Sequence, residues 1–210
     1  MLIQILIDNP GSWILPSVEI LAKEIKTIFS YDTIIVHNHK DVIEGEILIM
    51  LSCEKKFKRL DLNKKNLVVH ESNLPKGKGW SPVTWQVLEG KKEIQMTLFE
   101  ANDSIDSGEI YLKKSMQLNG DELLKDIKEL QGKITNELII DFLKLYPNIK
   151  GVQQSGDETF YKKRTSSDSE LDINKTILEQ FNLLRVCDND RYPAFFIING
   201  KKYVLKIFEQ

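Results

Sequence analysis

The chain has 210 residues, 41% of them hydrophobic and 29% charged, and a net charge of −2. That length holds one substantial core with a small appendage, and no apolar run reaches the roughly 20 residues of a membrane span. Basic residues are scattered among acidic ones, which argues against a nucleic-acid partner, and two cysteines outside any CxxC pair with three histidines give no zinc-ligand spacing. A small-molecule partner in a reducing cytoplasm fits this usage.

Met1 to Ile7 is apolar from the start and meets Asp8-Asn9-Pro10. It lacks the charged start and small-residue cleavage site of a signal peptide, so Leu2–Ile7 reads as a buried strand. Helical spacing follows over Pro16–Phe29. Thr33–Val36, Ile47–Leu51 and Leu67–Val69 read as further strands, and this alternation predicts a mostly parallel sheet covered by helices. No GxGxxG follows the first strand. Ser81–Leu88 reads as a short helix with Pro82 in its first turn and Gly90 past its end. A strand is expected over Gln95–Glu100 and a long helix over Gly120–Leu145, whose stripe from Leu123 to Phe142 reads as core packing. Tyr146-Pro147 ends that helix. A further helix is expected over Ile173–Cys187, then a hairpin of Phe195–Ile198 and Tyr203–Ile207 turning at Asn199-Gly200. The fold class is therefore α/β, a Rossmann-like sheet flanked by helices over residues 1–150. A small C-terminal subdomain of helix and hairpin occupies residues 151–210.

Chemistry concentrates in Val68-Val69-His70-Glu71-Ser72-Asn73-Leu74-Pro75-Lys76-Gly77-Lys78-Gly79-Trp80-Ser81-Pro82. A histidine ending an apolar strand stands where open α/β sheets place ligands. Asp103-Ser104-Ile105-Asp106-Ser107-Gly108 is a second polar cluster, and Asp106 can approach His70 as a proton-handling pair. The same residues also suit a hydrogen-bonded loop and an ordinary turn. No nucleophile motif competes with them.

His70, Ser72, Leu74, Pro75, Gly79, Pro82, Trp85, Gly90, Thr97, Asp106 and Gly108 stand in the order and spacing of a signature. In this the chain resembles the folate-dependent formyltransferases. Phe160–Thr165 with Asp168, and Leu184-Arg185 followed by Tyr192–Phe196, are similar to segments of the sugar-nucleotide branch, above all the enzymes of pseudaminic-acid-type pathways. The resemblance implies transfer of a formyl group from 10-formyltetrahydrofolate to the amine of a nucleotide-linked amino sugar, of the UDP-4-amino-4,6-dideoxy kind, for cell-surface glycan synthesis. His70 and Asp106 are then catalytic, with Asp106 tuning His70 and helping to remove the amine proton. Leu51, Ser52, Cys53, Asp103 and Asp106 would meet the folate. Lys78, Gly79, Trp80, Arg164, Arg185, Tyr192 and Phe195 would meet the sugar nucleotide, the arginines at its phosphates and the aromatic rings at its base. Ordinary structural roles stand beside each of these: a buried Cys53, a solvated Lys78, a lid role for Trp80. The resemblance implies no metal, no nucleic acid and no membrane partner, and it allows a homodimer.

The chain departs from the family at Val68, where an asparagine normally stabilises the oxyanion; losing such a donor commonly costs about 100- to 1000-fold in rate. Ser52, a backbone N–H or His70 itself could cover that role. Three readings stay open beside the sugar enzyme: methionyl-tRNA formylation, glycinamide ribonucleotide formylation, and a non-catalytic folate- or nucleotide-binding domain. A tRNA enzyme is expected to need a larger and more basic C-terminal domain.

Overall fold

An apolar strand buried on both faces suits the inside of a parallel sheet. Leu2–Leu6 (β1) holds that position in the computed structural model, which describes all 210 residues. On one side lies Asp32–Val36 (β2). On the other lie Gly45–Met50 (β3) and Asn63–His70 (β4), all four strands parallel. Two antiparallel strands complete the sheet beyond β4. Lys78–Gly79 (β5) lies outside it, so these two are Glu93–Glu100 (β6) and Ile110–Gln117 (β7). The expected parallel sheet is thus present, with an antiparallel edge. The β7 strand lies where no strand was expected, because Lys113, Lys114 and Ser115 interrupt its apolar pattern.

Helices Leu15–Phe29 (α1) and Leu124–Leu145 (α3) pack together on one face of the sheet. Ile3, Ile5, Ile47, Ile49, Leu67 and Met96 meet Val18, Leu21, Ile25, Leu138 and Phe142 there. Each such buried side chain contributes about 1.5–3 kcal/mol. The opposite face carries a smaller cluster of Leu6, Val42, Leu48, Met50 and Phe57. The α3 helix begins four residues after Gly120. The Glu122 carboxylate accepts the N–H groups of Asn119 and Gly120, and Asp126 accepts that of Leu123, so the chain turns before it coils.

Beyond residue 150 the expected long helix over Ile173–Cys187 is not formed. Asp172 accepts from Asn174 N–H and Glu179 from Thr176, and these local bonds hold a loop. Only a 3-10 turn at Leu178–Gln180 and the short helix Phe181–Arg185 (α4) remain. The hairpin is present as Ala194–Ile198 (β9) and Lys201–Leu205 (β10). Asn199 and Gly200 take φ of 50° and 72°, the left-handed pair its tight turn requires. Leu171, Leu184, Cys187 and Ala194 form a separate small core. Backbone bonds nevertheless cross the expected boundary: Ile110 exchanges both its bonds with Val152, and Phe160–Tyr161 (β8) pairs with β5.

Candidate active site

His70 is the last residue of β4, opposite Thr97 on β6, and 7% exposed. The loop after it is fastened to the sheet, since Thr97 Oγ1 donates to Ser72 O at 2.6 Å and Lys113 Nζ to Leu74 O at 3.0 Å. It then folds back so that the Gly77 carbonyl lies 2.8 Å from His70 Nε2. A carbonyl can only accept, so this contact puts the ring proton on Nε2 and leaves Nδ1 with its lone pair.

Asp106 approaches from the loop joining β6 and β7. Its Oδ2 is 3.8 Å from His70 Nδ1 and accepts the Gly79 N–H at 3.0 Å. Its φ is +51°, a left-handed conformation. Gly108 allows the loop to close, because a Cβ there would come within 1.6 Å of Glu100 O. Gly79 carries a similar demand: a side chain would meet Tyr161 O at 2.5 Å and part β5 from β8. Asp106 therefore comes from a loop, and His70 from a strand end covered by one, whose backbone courses are set by close approach. Nδ1 and a carboxylate facing each other beyond hydrogen-bond distance form a proton acceptor with a counter-charge in place.

One titrating group here carried no signal in the sequence. Glu71 follows His70, and its Oε1 accepts from Gln131 Nε2 of α3 at 2.6 Å. Burial pushes its carboxyl above the usual range, against the opposing pull of nearby His70 and of the Gln131 bond. Gln86 Nε2 holds the Glu71 carbonyl at 2.7 Å. Gln154, Glu158 and Thr159 were likewise hidden in an unpatterned polar stretch, and each contacts one of the two loops around His70 and Asp106.

The other expected site residues divide into two groups. Ser52 and Trp80 are exposed near the loops that carry the dyad. Asp103 is exposed too, and its carbonyl accepts Lys56 Nζ at 2.5 Å, which bridges the two loops beside the Phe57 cluster. Leu51 is buried, and Cys53 turns its thiol inward to Leu6 O, where burial and Asp8 push its pKa up to about 12.

Lys78 is 1% exposed and bonds Glu158 at 2.6 Å and Ser107 at 2.8 Å, so its charge is spent inside the protein. The two arginines correct the expectation of a phosphate fork. Arg164 donates to Val186 O and Ser169 Oγ, and Arg185, 2% exposed, bonds Asn182 and Glu122. A buried guanidinium needs partners that stay in place, and these two find most of theirs within the chain, Arg164 Nε being buried without one. Phe195 is also buried, with Lys202 Nζ 3.7 Å above its ring, whereas Tyr192 reaches the surface. None of these four is brought next to His70. Val68 lies two residues before His70, hence on the same face of β4, and packs beside the Met50–Phe57 cluster. A cavity of about 680 Å³ lies behind the 72–77 loop, lined by Ser72, Lys76, Gly77, Glu93 and Phe160 among others, and neither dyad residue lines it. No three His, Cys, Asp or Glu side chains are grouped so as to hold a metal ion.

Residues 58–142 match the formyl transferase family model. A methionyl-tRNA formyltransferase of Thermosipho melanesiensis is 31% identical over 140 residues, 67% of this chain and 45% of its own length. One from Lactobacillus johnsonii is 26% identical over 64% of this chain and 44% of its own. The chain thus spans less than half the length of these curated relatives. Among solved structures, a methionyl-tRNA formyltransferase from Clostridium thermocellum superposes with a TM-score of 0.81 at 20% identity, over all of this chain and 93% of that one. A 4-N formyltransferase from Francisella tularensis gives 0.67 at 17%, over 98% and 96%. HypX from Aquifex aeolicus, in complex with tetrahydrofolic acid, gives 0.72 at 14%, over 98% and 37%. These likenesses share the fold described above, and the matched segment, which contains β4, His70, the signature loop and Asp106, belongs to the formyl transferase family.

Proposed function

We propose that this chain transfers a formyl group from 10-formyltetrahydrofolate to the amine of a nucleotide-linked amino sugar. The observation that carries the reading is the free Nδ1 of His70 facing Asp106 at 3.8 Å, inside the segment that matches the family. An attacking amine must lose a proton, and a positioned base of this kind is worth about 10²- to 10⁴-fold. Nδ1 takes that proton and Asp106 stabilises the imidazolium; as the bond from the formyl carbon to N10 of the folate breaks, the proton passes to N10 and tetrahydrofolate leaves. Val68 brings no donor, so the newly protonated Nδ1 is the side-chain donor for oxygen charge that develops beside it. Bound 10-formyltetrahydrofolate supplies the formyl carbon. The apolar floor of Met50, Phe57 and Val68, with backbone of the 51–53 and 101–106 loops at its rim, suits a flat heterocycle edged with donors and acceptors.

Likeness over nearly the whole length of the Francisella 4-N formyltransferase supports a small acceptor, as does the net charge of −2. A UDP-linked 4-amino-4,6-dideoxy sugar is the acceptor of choice. Methionyl-tRNA is the second reading, favoured by the names of the curated relatives and by the equally extensive likeness to the Clostridium thermocellum structure. The test offers 10-formyltetrahydrofolate with UDP- and dTDP-linked 3-amino and 4-amino sugars, glycinamide ribonucleotide, and charged initiator tRNA. Tetrahydrofolate release and product mass are followed. Product from a nucleotide sugar supports the proposal; product from methionyl-tRNA alone replaces the acceptor; no product from any acceptor ends the reading.

A further inference from the structure

The segment from Val152 to Tyr161 lies beyond the matched family segment, yet it touches both catalytic loops. Gln154 Nε2 donates to Asp106 O and to Gly108 O, each at 2.9 Å. Both partners are carbonyls, so the amide cannot turn over without setting oxygen against oxygen. Its own Oε1 is buried with no partner. The side chain is therefore turned the way that fixes the left-handed Asp106, at the expense of its own acceptor. Five residues later Thr159 Oγ1 accepts the Gly77 N–H at 2.8 Å, and Thr159 O accepts that of Lys78 at 2.9 Å. Gly77 is the residue whose carbonyl holds His70 Nε2. Between these two contacts, Glu158 binds Lys78, which also binds Ser107, the neighbour of Asp106.

We propose that Gln154 and Thr159 are positioning residues of the catalytic centre. Gln154 sets Asp106 through its backbone, and Thr159 sets the His70 ring through Gly77. Neither touches the space between Nδ1 and the carboxylate. The inference rests on the formyl-transfer reading for its kinetic arm only.

The test uses the full chain with ring-¹⁵N-labelled histidine, its three signals assigned through His37→Gln and His39→Gln. At alkaline pH the His70 nitrogens should show an Nε2-protonated ring. Thr159→Val, at an exposed position, should move those shifts toward a mixture of tautomers and Thr159→Ser should restore them. With an accepted acceptor, Thr159→Val and Gln154→Leu should each lower kcat at least tenfold with KM for both substrates within threefold. In an Asp106→Asn background Gln154→Leu should cost less than a further twofold, because its route of action is already cut. Unchanged ring shifts in a folded Thr159→Val protein overturn the proposal, as do additive losses or a change confined to KM. Should Gln154→Leu not fold, the Thr159 pair decides alone. Should the wild-type protein form no product, the formyl-transfer reading fails, and the ring shifts still decide positioning.

Discussion

The loops around His70 and Asp106 and the C-terminal arm beyond Lys162 both bury charge, and they use it in opposite ways. In the arm, Arg185 gives Nε to Asn182 and Nη1 to the carbonyl and carboxylate of Glu122, while Arg164 ties residues 169, 186 and 187 together. At the dyad, His70 Nδ1 and Asp106 Oδ2 stop at 3.8 Å, while His70 Nε2 and the Gly79 N–H beside them are each bonded. Buried charge tied to carbonyls, amides and a carboxylate of its own chain is architecture; a buried pair held just short of each other is prepared for something that arrives. The residue types alone point the other way, since arginine is the residue chemistry assigns first to phosphate.

The sharpest break of that contrast is at the dyad. His70→Gln keeps an N–H for Gly77 O and loses Nδ1; Asp106→Asn keeps an oxygen for the Gly79 N–H and loses the charge. Each should lower kcat by about 10²- to 10³-fold while thermal unfolding stays near the wild-type temperature. Rates within tenfold of wild type in either folded variant would sink the assignment. At the arm the opposite result is expected. Arg185→Met leaves Glu122 without its cation, and breaking a buried pair costs about 3 kcal/mol. Urea unfolding should show that loss, with sugar-nucleotide affinity per folded molecule unchanged. Lost affinity at unchanged stability would return Arg185 to the binding site.

Legibility from sequence follows the same division. The strands β1 to β4, α1 and the hairpin turn could be read because burial on both faces, a 3.6-residue stripe and an Asn-Gly pair each leave a local mark. His70 stands out because it ends such a pattern, and Asp106 because it lies in a polar cluster at the spacing of the signature. The β7 strand could not be read, since Lys113 and Lys114 stand on its opposite faces, one bonded to the 73–74 loop and the other to α3, and break its apolar pattern. The arm could not because its order comes from side-chain bonds such as those of Asp172 and Glu179, which follow no period. Gln154 and Thr159 matter only through where the chain returns, which no local pattern records.

Val68 separates the face from the function. It shares the dyad's face, and an asparagine there would recover the family's donor. Val68 is partly buried and packs against the apolar cluster of Met50, Phe57 and their neighbours. Val68→Asn should cost about 1–2 kcal/mol for an amide buried without hydrogen bonds, and kcat should rise no more than twofold. A tenfold gain at unchanged stability would show that the pocket lacks only that donor.

The smallest effect expected is a slope. Glu71 is half-buried beside the dyad; His70 favours its charged form, while Asp106 and desolvation disfavour it. Its folded pKa lies above the unfolded carboxylate value, so between those two values the native state holds more protons than the unfolded chain. Stability must then fall as pH rises through that window, starting in the ordinary carboxylate range, and a single proton allows at most about 1.4 kcal/mol per pH unit. Glu71→Gln keeps an oxygen for Gln131 and cannot titrate, so it should lack that contribution. Urea unfolding of both proteins from pH 4 upward reads the difference directly: the variant should gain on the wild type as pH rises, and the gain should level off above the folded pKa. A difference that stays flat means Glu71 is hydrated and titrates as it does unfolded. A difference of opposite sign means that it is ionised in the native state as the partner of a charged His70, which would make the proton acceptor a carboxylate–imidazole–carboxylate array.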